Sequence, residues 1–177
     1  MVDRKTTFPQ LDADPSFTRV VRYFRPSDYA FWGASIAGFP AALWALEYVN
    51  PTQPHSAAAN RLGYRVGAFT GLIGGFLLAY QRSSARFWGW TENEREHQRY
   101  LAEIEHHLRQ GTPVHGTSRL TPYLQRIAAN NSTFAASKFD VMPWFNVVSH
   151  PHHGEFNEAM IQRVRQTLQE SAAKASS

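Results

Sequence analysis

The sequence predicts an all-α membrane protein, a two-helix transmembrane hairpin with small residues on both helices followed by an extended, partly helical C-terminal tail. Three observations carry this. Residues 29–49, YAFWGASIAGFPAALWALEYV, hold no charge before Glu47, and as a helix they reach about 30 Å, the thickness of a hydrocarbon core. A second apolar run, GYRVGAFTGLIGGFLLAYQRS, sets Gly63, Gly67, Gly71 and Gly75 four residues apart. Aromatic residues stand at the ends of both runs, Tyr29, Phe31, Trp32, Trp44 and Tyr48 on the first and Tyr64, Tyr80, Phe87, Trp88 and Trp90 on the second, as in the belts at membrane interfaces.

The glycine spacing separates three readings. A phosphate-cradling loop needs GxGxxG or GxxxxGK[ST], and neither occurs here. A linker would be polar. In a water-soluble helix each glycine costs about 1 kcal/mol relative to alanine, whereas in lipid a row of glycines forms a groove that admits another helix backbone. Ala79 and Ser83 extend the row, and the first run has small faces of its own, Gly33, Ala37, Ala41 and Ala45, with Ala30, Ala34, Gly38 and Ala42 beside them. The expected helix-packing interface is therefore Gly33, Ala37, Ala41 and Ala45 against Gly63, Gly67, Gly71, Gly75 and Ala79, the first span being the nearest candidate to fill the groove. A soluble helical hairpin is the competing fold, and the mean hydropathy of −0.41 favours it, but that average is diluted by polar ends.

The second span is short. Residues 66–81, between Arg65 and Arg82, reach about 24 Å, so both arginines must extend their heads to the interfaces. Pro40 removes one donor from the first helix and leaves the carbonyl of Ile36 without its usual partner, which predicts a kink that a bundle tolerates.

Three segments follow from this: an N-terminal basic segment at 1–28, the hairpin at 29–83 with spans at 29–49 and 63–82, and a hydrophilic C-terminal region at 84–177. Little chain remains for an independent catalytic core. The absence of cysteine excludes disulfides, thiolate metal sites and cysteine-ligated iron–sulfur clusters. The N-terminus lacks an apolar signal region, and Asp3, Asp12 and Asp14 argue against an acid-poor presequence. Basic residues cluster before the first span (Arg4, Lys5, Arg19, Arg22, Arg25) and after the second (Arg82, Arg86, Arg95, Arg99), against Arg61 and Arg65 in the connection. This bias places both termini on the cytoplasmic or matrix side. Arg22, Arg25, Arg82 and Arg86 are expected to meet anionic phospholipid such as cardiolipin. They form no tract interleaved with aromatic stacking positions, so nucleic acid is not an expected partner.

Downstream, Thr91-Glu92-Asn93-Glu94 reads as a capping box opening a charged helix that ends at Gly111, with a thin apolar side of Leu101, Ile104 and Leu108. Thr121-Pro122 opens a short helix to about Ala129. Phe156, Met160, Val164 and Leu168 line a last helix from Glu155 to about Ser171, after which ESAAKASS is expected to fray. FDVMPWFNVV, aromatic and irregular, points to docking on another protein.

Chemistry is sparse. His150, His152 and His153, with Glu155, are weak metal candidates because imidazoles and a carboxylate suit zinc or copper, but Pro and Gly break the segment. No nucleophile elbow, paired-carboxylate motif or dinucleotide fingerprint occurs, so neither catalytic residues nor cofactors are expected. The sequons of Asn130-Asn131-Ser132-Thr133 carry no meaning on a matrix or cytosolic face.

RVVRYFRPSDYAFWGASIAGFPAALWALE, the glycine-rich second run and the tail stretch MPWFNVVSHPHHG together resemble the NADH:ubiquinone oxidoreductase 21 kDa subunit family, an accessory subunit of mitochondrial complex I of fungal type. The resemblance covers hairpin and tail, and the juxtamembrane RYFRPSDY makes it specific. It implies an inner-membrane location, no catalytic residues in this chain and core and accessory subunits of the membrane arm as partners. Two other classes remain as expectations, a translocase or organising protein with a glycine-zipper hairpin, and a small membrane protein using the histidines to bind metal.

Overall fold

A computed structural model of the chain describes residues 6–50, 57–137 and 145–176. Every regular element among them is helical: α1 Phe17–Arg22, α2 Pro26–Val49, α3 Ala57–Phe87, α4 Glu94–Arg109, α5 Pro122–Ser132, a 3-10 turn at Ala135–Ser137, and α6 Glu155–Ser176. Two units result, Phe24–Ser83, and Met1–Tyr23 together with Ser84–Ser177. Arg4, Lys5 and most of the FDVMPWFNVV stretch lie outside the described residues, as does the hairpin connection at 51–56.

In the first unit, α2 and α3 are both long and apolar enough to cross a membrane. α2 starts earlier than the sequence predicts because Pro26 presets the first helical φ and the Asp28 carboxylate accepts the backbone N–H of Arg25 at 2.8 Å, close to the positive end of the helix dipole. It runs unbroken through Pro40.

Gly67, Gly71, Gly75, Ala79 and Ser83 form the buried side of α3, while Gly63 is exposed. A Cβ on Gly71 would strike the carbonyl oxygen of Ser35. One on Gly67 would stand 2.8 Å from Leu43 Cδ1 and 3.4 Å from the Pro40 nitrogen, and one on Gly75 2.6 Å from Ser35 Cβ. α2 thus fills the groove, but with a different side than the sequence predicts. Gly33, Ala37, Ala41 and Ala45 are exposed, and a Cβ on Gly33 or Gly63 would meet open space. The reason is shape: a concave strip of glycines is filled by a ridge such as Ser35, Ile36, Phe39, Pro40 and Leu43, whereas a flat alanine row would leave a gap. Trp32 Nε1 reinforces the contact by donating to the carbonyl of Leu72 at 2.8 Å.

In the second unit the N-terminal stretch, which reads as a basic flank, supplies core. Leu11 and Val20 are fully buried, as are Phe87, Tyr100 and Ile104. Phe8 N donates to the Gly89 carbonyl at 3.2 Å and Leu11 N to that of Phe87 at 2.9 Å. Gly89 has φ +72°, and a Cβ there would strike the Phe8 carbonyl, so this turn requires glycine.

The capping box is not formed. α4 begins at Glu94 with Asn93 in the cap position and no cap hydrogen bond, because the Asn93 amide donates instead to the carbonyls of Pro9 and Arg86, each at 2.7 Å. Its far end closes as expected, with Gly111 at φ +65° and the N–H groups of Gly111 and Thr112 returning to Leu108 and His107, a Schellman arrangement. The buried face is Glu96, Tyr100 and Ile104, so that of the predicted apolar side Ile104 is buried and Leu101 and Leu108 are half-buried. α5 is capped by Thr121, which accepts from Leu124 N, and ends at Ser132. α6 packs on α4 and continues to Ser176, since the Ala, Gln, Glu and Lys of its last turns are good helix formers.

Candidate functional site

The concentrated chemistry of the second unit lies where five segments meet. Asp12 and Asp14 come from the N-terminal stretch, whose Asp12 carboxylate turns back to accept the Asp14 N–H at 2.9 Å. α1 follows, and its helical spacing sets Arg19, Arg22 and the adjoining Tyr23 on one side, where all three reach Glu103 of α4, at 3.2, 2.6 and 2.7 Å. The loop after α4 brings His115, and the segment leading into α6 brings His150 and His153.

Arg19 is the hub. Its guanidinium donates to the Val114 carbonyl at 2.7 Å, pairs with Asp12 at 3.4 Å and Glu103 at 3.2 Å, and meets His115 Nδ1 at 3.0 Å. A guanidinium only donates, so His115 Nδ1 is an acceptor. His115 Nε2 then donates to Asn157 Oδ1 at 2.8 Å, while the Asn157 amide nitrogen donates to the Leu11 carbonyl at 2.8 Å. This is a neutral imidazole. Burial, and after it the neighbouring His153, push the His115 pKa down to about 3, with Asp12 opposing.

His153 is the opposite case. Its Nδ1 lies 2.8 and 3.0 Å from the two Asp12 oxygens, and its Nε2 lies 2.8 Å from the His150 carbonyl. Both ring nitrogens thus face oxygen acceptors. Burial raises the Asp12 carboxyl, but His153 and Arg19 outweigh it and hold the group below its ordinary value. Burial likewise raises Glu103, and Arg19, the Tyr23 hydroxyl and Arg22 together bring it down. His150 Nε2 pairs with Asp14 at 2.9 Å, and the Ser132 hydroxyl donates to the same carboxylate.

Asp12, His115 and His153 offer ligand atoms within 4.8 Å of one another, yet their arrangement suits charge pairing better than metal binding. Both His153 nitrogens are engaged by Asp12 and the His150 carbonyl, the His115 lone pair faces Arg19, and the two rings stack 3.5 Å apart at 12°, so their nitrogens do not converge on one ion. The predicted trio is divided: His150 and His153 are buried in the network and His152 is exposed. Sequence reading missed His115, Arg19 and the Asp12/Asp14 pair, whose partners are remote in the chain. The one local signal was the spacing of Asp12 and Asp14, two acids in an apolar setting.

The arginines expected to meet lipid also divide. Arg86 is buried and paired with Glu96 at 3.3 Å, so it is not a headgroup ligand. α3 continues past the apolar run and carries Arg86 into the packed core. Arg22 and Arg82 keep 56% of their side chains exposed, and Arg25 is half-buried.

An apolar helical hairpin with a glycine groove, whose two helices are long and apolar enough to cross a membrane, is joined in one chain to a helical unit stitched by buried ion pairs. Residues 5–92 match the family described as NADH-ubiquinone oxidoreductase complex I, 21 kDa subunit, and residues 100–167 match the C-terminal of NADH-ubiquinone oxidoreductase 21 kDa subunit. The NADH-ubiquinone oxidoreductase 20.9 kDa subunit of Neurospora crassa is similar, 37% identical over 173 residues, which is 97% of this chain and 91% of that protein. The chain belongs to the complex I 21 kDa subunit family.

Proposed function

We propose that the chain is a non-catalytic accessory subunit of the membrane arm of complex I, supporting its assembly or stability through helix packing, docking of the C-terminal region and contact with anionic phospholipid such as cardiolipin. Membership of the family makes its neighbours the other subunits of that complex and its place a mitochondrial membrane. The observation that supports the non-catalytic reading is the charge network itself: Asp12, Arg19, His115, Glu103 and His153 are consumed by one another, which leaves none of these five poised as an acid, base or ligand for a substrate.

The exposed small row Gly33, Ala37, Ala41 and Ala45 suits a helix of a neighbouring subunit, since small residues permit close backbone approach in lipid. Arg22, Arg25 and Arg82 are the proposed contacts for lipid headgroups. The basic flanks of the hairpin favour an inner-membrane topology with both termini in the matrix.

Deletion of the chain tests this reading. Full-size complex on a native gel should decline, alkaline carbonate should leave the tagged chain in the membrane pellet, and protease added to mitoplasts should spare tags at both ends. Undiminished and equally heat-stable complex without the chain would refute the supporting role, and cleavage of either tag would reverse the topology.

A further inference from the structure

α5 carries a face that no other described residue covers. Leu120, just ahead of the helix, and Tyr123, Leu124 and Ile127 recur at helical spacing and remain 38 to 63% exposed. The opposite side is anchored: Ala129 and Ser132 are buried, the Ser132 hydroxyl donates to Asp14, and Phe134 N donates to the Ala13 carbonyl at 3.3 Å. The apolar row is therefore held outward on a fixed helix.

Charge identifies what it fits. From His106 to Phe139 the sequence contains no aspartate or glutamate, while Arg119 and Arg126 stand on the flank of the row. Both are exposed, and among the described residues neither pairs with a carboxylate. A helix with an aliphatic and tyrosine face, arginines at its edge and no acid within its segment has the make-up of an interfacial helix, which buries its apolar side at the headgroup–acyl boundary and draws its cations to anionic lipid. The geometry points to Leu120–Ser132 as a second membrane contact of this chain, one that lies on an anionic phospholipid surface and is distinct from the spans and from their flanking arginines. It rests on the reading of α2 and α3 as membrane-spanning.

The absence of cysteine makes a single label unambiguous. The full chain carrying Ile127→Cys, labelled with a nitroxide, is reconstituted into vesicles of phosphatidylcholine alone or with phosphatidylglycerol, a polar relaxation agent being equilibrated on both sides. Gln162→Cys, on the exposed side of α6, is the control. The Ile127 label should be shielded from the agent in anionic vesicles only and Gln162 in neither, and Arg119→Gln with Arg126→Gln should weaken shielding by about fivefold per charge. Equal accessibility in the two lipids overturns the inference while leaving the spans in place. Shielding that arises only in the assembled complex also overturns it, because a protein subunit then covers the face. A chain released from the vesicles by alkaline carbonate defeats the two-span reading and this inference with it.

Discussion

His153 Nδ1 lies 2.8 Å from Asp12 Oδ1 across 141 residues of sequence. That ion pair fastens the last third of the chain to its beginning, with both side chains buried. Breaking a buried pair by removing one partner leaves an uncompensated charge and costs about 3–5 kcal/mol. His150→Ala with His153→Ala should therefore lower the amount of chain retained in complex I, whereas His152→Ala should be silent. NADH:ubiquinone turnover per assembled complex should stay the same in all three. A normal amount of complex with much reduced turnover would return the histidines to catalysis or metal binding.

The network also sets a pH dependence. His115 remains neutral in the fold down to about 3, against 6.5 for an ordinary imidazole, so below 6.5 the unfolded chain binds a proton that the folded chain refuses. Stability from this group is present above 6.5 and is lost as pH falls toward 3. Asp12, held below 3.8, adds a further loss below that value. The thermal midpoint of the detergent-solubilised protein should fall between pH 7 and about pH 4.5, and His115→Gln should flatten that fall. An identical pH profile in the variant would mean that His115 titrates freely.

Within the hairpin, the glycines are not equivalent. A methyl at Gly71 meets the Ser35 backbone, which cannot move aside, whereas Gly74 has open space. Gly71→Ala should thus reduce comigration of the chain with the large complex on a native gel, and Gly71→Leu should abolish it. Gly74→Ala should be tolerated. At Gly67 the nearest atom is the end of the Leu43 side chain, so Gly67→Ala should fall between them. Equal retention of Gly71→Ala and Gly74→Ala would show that the groove is not a packing surface.

Arg86 and Arg82 should behave differently although they lie one helical turn apart. Arg86→Gln removes the guanidinium beside the buried Glu96 carboxylate, at a cost of about 3 kcal/mol and a fall of about six to twelve degrees in melting midpoint. Arg82 is largely exposed and 3.6 Å from Asp28, so Arg82→Gln should change stability by at most about 1 kcal/mol. The comparison is made in lipid-free detergent. A similar small effect from both would restore Arg86 to the membrane surface.

By itself the sequence determined the helices from α2 to α6, the two apolar runs, the glycine row of α3 from Gly67 to Gly75 and the Gly111 stop, because each depends on local periodicity or on one residue's backbone freedom, while α1 reads only as a basic flank. The family could also be read there, from the juxtamembrane and tail stretches. Tertiary structure alone decided which side of α2 enters the groove, because either side is short-range compatible and only the fit of ridge to groove separates them. It decided that Arg86 turns inward, that Asn93 serves two carbonyls in place of a cap, and that His150 and His153 hold Asp14 and Asp12. Such choices belong to pairs: a buried charge is stable only beside its partner, and the partner's position is set by the whole chain.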